Sequence, residues 1–350
     1  MKKLPHKLFL AGRILIGVAL LHVVISKAGG WANARPILEA PRFLLVVVVF
    51  SLLGTLVEAK RLTLLLRAQG IELPTVDACR LVAVAFFFNF SIPGGASGDL
   101  SKLYYLRSAQ GGRGVELATT LFVDRAIGFF SLLLITVVLG VANWSFVRAS
   151  ATYQWLFALA VLAMLLLCAL AMFSMSTVAR SWRWYEFVMS RSMLRQYLER
   201  VSQALYVYRH HQAVVLKSLG LTFLGNLALA AVFILLGSLL VPGAPAGGTA
   251  LLSLFGTFAN TITITPGGLG VGEAAFERLF AMAGYSGGAA LLVSWRAGML
   301  PLAVLGFCVY LRGVRMQRKL GAAQGEHEGA VGAPGETPNS GFKLFDAREK

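Results

Sequence analysis

The stretch SIPGGASGDLSKLYYLR, residues 91–107, interrupts an apolar segment with a Pro-Gly-Gly break and then adds an acid and several bases. Proline has no N–H and glycine adds backbone freedom, so the break leaves backbone polar groups without helical partners. Hydrocarbon does not tolerate such groups, whereas surrounding protein or a watery cavity does. The stretch predicts a broken helix that lines a polar cavity. The alternative is a glycine-rich bend that only helps helices to pack.

The composition around this stretch is that of an integral membrane protein. The 350 residues are 57% hydrophobic and 14% charged, with a mean hydropathy of +0.71. The formal net charge of +16 lies largely in loops between apolar segments. There, bases indicate topology and headgroup anchoring rather than nucleic-acid binding. The three widely spaced cysteines predict neither a disulfide framework nor a metal site, and no cofactor motif is recognised.

Several apolar segments are long enough to cross a bilayer core, which takes roughly 20 helical residues. The first, 8–26, imitates a signal peptide but is overlong, so we expect it to be retained as a helix. The others lie at 41–57, 79–93, 115–141, 154–175, 213–241, 250–265 and 288–311. Because cytoplasmic loops carry the excess of bases, the N-terminus, the loop 175–212 and the C-terminal flank are expected in the cytoplasm.

This orientation conflicts with a count in which every segment spans. If 79–93 crossed, the basic stretch with Lys102 and Arg107 would lie outside. The conflict disappears if 79–110 enters from the cytoplasm, breaks and leaves on the same side, while 250–285 does the same from outside. The predicted fold is an all-α integral membrane bundle of about six spanning helices plus two opposed re-entrant broken hairpins.

The two broken hairpins share a sequence pattern. NFSIPGGASGD (89–99) and NTITITPGGLGVGE (260–273) each carry an Asn, a Ser/Thr-bearing apolar stretch, Pro-Gly-Gly, and a Gly followed by an acid. Each lies in a half ordered as helix, helix, broken hairpin, helix, which predicts an inverted repeat. Interrupted segments at corresponding places in two inverted halves indicate the central site of a transporter.

Ionisable residues within apolar segments are expected to be paired or wetted. Asp124 and Arg125 lie inside the stretch 115–141. They either serve function, neutralise one another, or cap the first hairpin near the cytoplasmic surface. Arg296 lies in the last segment and either pairs with Glu273 as a gate or reaches toward the interface beside Trp295.

Two further regions are predicted outside the bundle core. Apolar residues recur at helical spacing within about 180–211, between several arginines, which predicts an amphipathic helix on the cytoplasmic headgroups. The tail 321–350 is rich in Gly, Glu, Ala and Pro and is expected to be disordered. The transmembrane domain is therefore assigned to 1–320.

The motifs PGGASGDLSKLYYLR, the later Asp-Arg pair and TPGGLGVGE resemble the flippase-like transmembrane family that forms the N-terminal region of lysylphosphatidylglycerol synthases and also occurs as stand-alone proteins. The match includes Asp99, Tyr104, Asp124, Arg125, Gly270 and Glu273. Departures are Ala96-Ser97 in the first glycine run, and Lys102 where the family often has Arg. Lys cannot form a bidentate fork to phosphate.

The resemblance implies movement of a lipid between leaflets, either an anionic or aminoacylated phospholipid or another lipid such as a hopanoid or a polyprenol-linked molecule. No aminoacyltransferase domain is expected in the short tail, so synthase activity is not carried over. Alternatives are a membrane enzyme acting on lipid headgroups and a non-transporting scaffold for a lipid synthase. The expected location is the bacterial inner membrane; a synthase partner and a homo-oligomer stay open.

The leading hypothesis is a lipid transporter, not an enzyme, whose central polar cavity receives a headgroup. In the first half the candidate binding residues are Asn89, Pro93, Gly94, Gly95, Asp99, Lys102, Tyr104, Arg107, Asp124 and Arg125. In the second half they are Asn260, Pro266, Gly267, Gly268, Gly270, Glu273 and Arg296.

Overall fold

The structure, a computed structural model, describes residues 39–92, 96–110, 113–175, 204–261 and 270–312. Every regular element within these ranges is an α-helix. Residues 204–210 are helical as well and directly precede α7. The helices are α1 (Pro41–Ala68), α2 (Thr75–Ser91), α3 (Ser97–Gln110), α4 (Gly114–Ala142), α5 (Trp144–Arg148), α6 (Ala151–Met175), α7 (Gln212–Leu240), α8 (Ala246–Thr261), α9 (Val271–Met282) and α10 (Gly288–Arg312).

Five of these helices, α1, α4, α6, α7 and α10, are long and apolar enough to span a membrane. The fold prediction of an all-α, polytopic membrane protein is therefore confirmed. The predicted first span, 8–26, and the tail 321–350 lie outside the described residues. Of the predicted amphipathic helix, only the end at 204–210 is described. There Tyr208 is buried and donates a hydrogen bond of 3.0 Å to Thr120 of α4.

The remaining long elements form two pairs of shorter helices. The pair α2 and α3 flanks the first Pro-Gly-Gly break, and the pair α8 and α9 flanks the second. At ~1.5 Å per residue their lengths are roughly 18–26 Å, shorter than the ~30 Å hydrocarbon core. The two members of each pair pack against one another. The breaks themselves, 93–95 and 266–268, lie outside the described residues, so the re-entrant path stays a prediction.

Local sequence explains where two of the helices end. Gly70 after α1 and Gly284 after α9 both have left-handed φ angles, of 68° and 82°. At each end the next residue, Ile71 or Tyr285, donates its N–H back to the carbonyl of the residue five positions earlier. This is the Schellman arrangement, which glycine permits because it has no Cβ. Both ends precede a turn into the next packed helix.

Helix α10 joins the two helix pairs. It packs against α2 of the first pair and α9 of the second, and also against α1 and α7. Its contact with α2 is close because Gly306 faces the backbone of α2. A Cβ at Gly306 would lie 2.0 Å from the carbonyl oxygen of Ala83. Small residues at such contacts are typical of membrane bundles, where close backbone packing replaces the hydrophobic effect between helices.

Helix α1 passes two separate apolar cores. Near its beginning, Val47 belongs to a cluster with Phe276 and Phe280 of α9. Near its end, Leu62 and Leu66 belong to a cluster with residues of α2, α3 and α4. Polar residues of α1 lie between these two cores, and they form part of the site described below. Helix α6, by contrast, packs on α4 and α5 and leaves most of its apolar surface exposed, as a lipid-facing helix does.

We expect Gly306→Ala to destabilise the protein. The added methyl must displace the α2 backbone, and overpacking of this kind costs about 1–3 kcal/mol. Gly220→Ala in α7 is the matched control, because no atom lies within 4 Å of the added Cβ. Thermal unfolding of the detergent-solubilised variants, followed by tryptophan fluorescence, should give a midpoint several degrees lower for Gly306→Ala alone. Equal midpoints would contradict the close approach of α10 to α2.

Candidate functional site

A two-point ion pair joins α1 to α4. Arg61 donates from Nε to Oδ1 of Asp124 at 2.5 Å and from Nη2 to Oδ2 at 2.9 Å. Its Nη1 also donates to the Thr222 hydroxyl of α7 at 3.1 Å. Both charged side chains are buried. A planar guanidinium matches a carboxylate in this bidentate geometry, which gives stronger and more directional bonds than a single contact.

A second group of charges surrounds Lys102 of α3. Its ammonium lies 2.5 Å from Oε1 of Glu58 on α1 and 3.6 Å from Oδ1 of Asp99 one turn earlier on α3. The other oxygen of Asp99 pairs with Arg125 of α4. Asp99 therefore connects the lysine to the arginine, and the ion pairs form a continuous chain across three helices. Lys102 is only 2% exposed, so its ammonium depends on these carboxylates.

The contact between Asn89 and Gly98 fixes the position of Asp99. The amide oxygen of Asn89, near the end of α2, accepts a hydrogen bond of 2.8 Å from the Gly98 N–H. A Cβ at Gly98 would lie 2.5 Å from both the Asn89 amide nitrogen and the Ala85 carbonyl oxygen. Glycine is thus required for α3 to begin this close to α2. Asp99 is the third residue of α3, where the positive end of the helix dipole stabilises a carboxylate.

These charged residues line a cavity of about 250 Å³, termed here the charged cavity. Its lining residues are Glu58, Arg61, Asn89, Asp99, Lys102, Asp124, Arg125, Gly128, Phe129 and Leu132. Arg61 lies seven residues before the end of α1, and Asp124 lies ten residues after the start of α4. At ~1.5 Å per residue, both lie roughly 10–15 Å inside the ends of spanning helices. Both residues therefore lie well inside the ends of helices that are long and apolar enough to span a membrane.

A second cavity of about 250 Å³ lies beside the charged one, and Glu58 and Arg61 line both. It is termed here the apolar cavity, because most of its walls are hydrophobic side chains from α1, α2, α7 and α10, among them Phe50, Phe86, Leu229, Trp295 and Met299. A small number of hydroxyl and amide groups, including Thr55 and Asn226, complete it. The charged cavity and the apolar cavity therefore meet at one acid, Glu58, and one base, Arg61.

The second half of the chain holds a similar polar centre. Arg296 of α10 pairs with Glu273 of α9 and donates a hydrogen bond of 2.7 Å to the amide oxygen of Asn260 on α8. The other carboxylate oxygen of Glu273 accepts the Gly270 N–H at 2.7 Å and so closes the beginning of α9. Arg296 is 6% exposed. Arg296 therefore pairs with Glu273, which is one of the two predicted alternatives.

The two polar centres contain the same types of residue, an asparagine, a glycine, an acid and an arginine, in the same order along the chain. Glu273 is the third residue of α9, as Asp99 is of α3, and each acid follows a glycine. A Cβ at that glycine, Gly98 or Gly272, would collide with the asparagine of the preceding helix. Each acid pairs with an arginine on the next long helix, Arg125 on α4 or Arg296 on α10. The sequence repeat therefore corresponds to a repeated set of contacts.

The structure separates Asp124 from Arg125, although they are neighbours in sequence. Consecutive helical residues point about 100° apart. Asp124 accordingly pairs with α1 through Arg61, and Arg125 pairs with α3 through Asp99. Asp124 and Arg125 therefore do not neutralise one another by direct contact. Each ties α4 to a different helix.

Several candidate residues lie away from these centres. Tyr104 is 66% exposed and Arg107 is also exposed, on the outward face of α3, and neither lines the charged cavity. The candidate glycines and prolines of both breaks, at 93–95 and 266–268, lie outside the described residues. Gly270 is described, with a left-handed φ of 86° at the start of α9.

Glu58 and Arg61 are functional candidates that the sequence interpretation missed. Both lie in the EAKR stretch at the end of an apolar segment, where bases are typical of a topology signal. Their signal is the spacing of three residues, which places both on one helix face. Lys60 and Arg67, in the same basic stretch, are exposed.

The chemistry of the charged cavity is that of alternating acids and bases. Within the described ranges, no group of three or more His, Cys, Asp or Glu side chains is arranged to hold a metal ion. Of the ionisable side chains that line the cavity, Glu58, Asp99 and Arg125 are the most exposed, whereas Arg61, Lys102 and Asp124 are buried. The cavity can therefore offer both a carboxylate and a guanidinium to a polar ligand.

We expect Asp124→Ala to destabilise the protein much more than Arg125→Ala. Loss of Asp124 leaves Arg61 buried without its carboxylate, and breaking a buried pair costs about 3–5 kcal/mol. The Arg125 side chain is partly exposed, so its pair is screened and its loss costs about 1 kcal/mol or less. Equilibrium unfolding in detergent measures both.

The double variant Arg61→Met with Asp124→Leu is the control, because it leaves neither charge behind. It should recover much of the stability lost in Asp124→Ala. Similar losses in Asp124→Ala and Arg125→Ala would contradict the pairing of Arg61 with Asp124.

The comparisons with known proteins agree with this architecture. The family model described as the lysylphosphatidylglycerol synthase TM region matches residues 10–306. Comparison with curated proteins and comparison with solved structures gave no match. The matched region contains both polar centres and both cavities, and it supports a role connected with membrane lipids. By the extent of this match, the chain belongs to the family of the lysylphosphatidylglycerol synthase transmembrane region.

Proposed function

We propose that this protein moves a membrane lipid between the two leaflets by receiving the lipid headgroup in the charged cavity. The observation that carries the proposal is the chain of ion pairs on α1, α3 and α4, which lines a cavity well inside the ends of spanning helices. Ionisable groups at such depth are costly and are typically retained on substrate or ion pathways.

The cavity volume suits a headgroup rather than a whole lipid. A volume of about 250 Å³ is roughly that of eight water molecules in the liquid. The headgroup would replace water there while the acyl chains remain in the bilayer. The neighbouring apolar cavity supports this division, because it places hydrophobic surface directly beside the charged one.

The second polar centre fits the proposal as the counterpart of the first. Arg296 lies eight residues after the start of α10, roughly 12 Å along the helix at ~1.5 Å per residue. Under the proposed topology α10 begins outside, whereas α4 begins at the cytoplasm. The two centres would then lie at similar depths from opposite membrane surfaces, as an inverted repeat requires.

The proposed location is the bacterial inner membrane, with the charged cavity nearer the cytoplasmic surface. Exposed bases near the corresponding helix ends, including Lys60, Arg67, Arg107 and Arg113, support this orientation through the positive-inside rule. The fused synthase activity of the family is not proposed for this chain. A headgroup-modifying enzyme and a scaffold for a lipid synthase are the rivals that the transport experiment separates.

Transport is tested with the purified protein in vesicles that contain an acyl-labelled phospholipid, whose leaflet is followed by bleaching from outside. We expect movement without chemical change. Asp99→Asn and Glu273→Gln should each slow movement at least about tenfold, because each removes a carboxylate charge that pairs with an arginine of the site. Glu72→Gln, on an exposed loop position, is the matched control and should behave as wild type.

Chemical conversion of the labelled lipid would favour the enzyme instead. Neither movement nor conversion would favour the scaffold. Wild-type movement in both site variants, with normal expression, would remove Asp99 and Glu273 from the proposed site.

The proposed orientation is tested by single-cysteine labelling. In a background with Cys79, Cys168 and Cys308 replaced by serine, Arg107→Cys should react with an impermeant thiol reagent only from the cytoplasmic side. Ala149→Cys, in the turn before α6, should react only from outside. Both positions are exposed, so lack of reaction from one side reports the membrane barrier. Outside labelling of Arg107→Cys would overturn the re-entrant path of the first hairpin.

A further inference from the structure

The charged cavity has no net charge among its described residues. Its acids are Glu58, Asp99 and Asp124, and its bases are Arg61, Lys102 and Arg125. Each base lies in contact with at least one of these acids. This balance constrains the ligand, because the ligand must share or exchange partners with charges that are already paired.

The accessible part of the cavity is also mixed in sign. Among the ionisable side chains that line the cavity, Glu58, Asp99 and Arg125 are the most exposed, with side-chain exposures of 38%, 25% and 38%. Lys102 is buried, and its ammonium lies 2.5 Å from Glu58 and 3.6 Å from Asp99. An incoming cation can therefore share the carboxylates with Lys102. An incoming anion can share Arg125 with Asp99.

From this balance we propose that the ligand is a lipid headgroup with no net charge that carries both an ammonium and a phosphate, the class of phosphatidylethanolamine. The inference rests on the proposed transport and names its substrate class. The ammonium would lie at Glu58 and Asp99, and the phosphate would lie at Arg125. Each ligand charge gains an opposite partner while the cavity as a whole stays neutral.

An anionic headgroup fits less well on the same reasoning. A phosphatidylglycerol headgroup would bring one negative charge into a site whose described acids and bases already balance. Its phosphate would share Arg125 with Asp99, and the headgroup would bring no ammonium to balance the added negative charge. An uncompensated charge in such surroundings is strongly unfavourable. Lys102 does not supply that balance, because its charge is already matched by Glu58 and Asp99.

The test compares two acyl-labelled lipids in phosphatidylcholine vesicles that contain the full chain. One is phosphatidylethanolamine and the other is phosphatidylglycerol, with identical labelled chains. We expect phosphatidylethanolamine to cross at least about tenfold faster. Equal rates, or faster phosphatidylglycerol, would overturn the headgroup assignment and leave the proposed transport intact. Movement of neither lipid would overturn the transport proposal and this inference with it.

Glu58→Gln tests the charge balance directly. The substitution keeps the shape of the side chain and leaves the cavity with one extra positive charge, while Lys102 retains Asp99 nearby. The preference for phosphatidylethanolamine over phosphatidylglycerol should fall at least about tenfold. Glu72→Gln, outside the cavity, should keep the wild-type ratio. An unchanged ratio in Glu58→Gln would overturn the placement of the ammonium.

A measurement on the wild-type protein tests the same headgroup assignment without depending on the folding of a variant. Lipids retained by the purified protein are quantified by mass spectrometry and compared with the lipids of the membrane from which it came. Enrichment of phosphatidylethanolamine over phosphatidylglycerol is expected. Enrichment of phosphatidylglycerol would contradict the proposal.

Discussion

The pairing of buried charges is the constraint on which the rest of the first half depends. Six ionisable side chains from α1, α3 and α4 lie together around one cavity, and each needs an opposite partner because an unpaired charge inside a helical bundle is costly. The pair of Arg61 with Asp124 satisfies this need across α1 and α4, and the Thr222 hydroxyl adds α7. The relative positions of three long helices are therefore fixed by bonds that are costly to break.

The short helix pairs satisfy a related constraint at their own beginnings. The first turn of any helix leaves N–H groups without helical partners, and inside a bundle these groups need acceptors. In the second half Glu273 closes the beginning of α9, and in the first half the Asn89 amide accepts the Gly98 N–H. Each solution requires a glycine in the first turn, since a side chain would fill the space of the asparagine. The glycine, asparagine and acid of the repeat thus serve one geometric purpose before any binding role.

Much of this arrangement is predictable from sequence, because it rests on composition and local pattern. Apolar length predicts the five described spans, and the repeated motif predicts that Asn89 and Asp99 correspond to Asn260 and Glu273. The sequence suggests the pairing of Arg296 with Glu273, but it does not show the partners of the charges in the first half. Asp124 and Arg125 look like a pair in the sequence, yet the helix turn directs them to α1 and α3. Glu58 and Arg61 look like the basic end of a span until tertiary packing places a carboxylate and a lysine beside them.

Charge balance also bears on how lipid movement would be driven. A net charge carried across the membrane exchanges about 2.3 kcal/mol with the field per 100 mV, whereas a neutral cargo in a neutral cavity exchanges none. For the proposed headgroup class, the membrane potential would therefore give no direction to transport. Direction would instead follow the difference in lipid concentration between leaflets. The ion pairs would then set the height of the energy barrier to lipid movement rather than its driving force. In each crossing, Asp99 and Arg125 would separate, bind the charges of the headgroup, and pair again after the headgroup leaves.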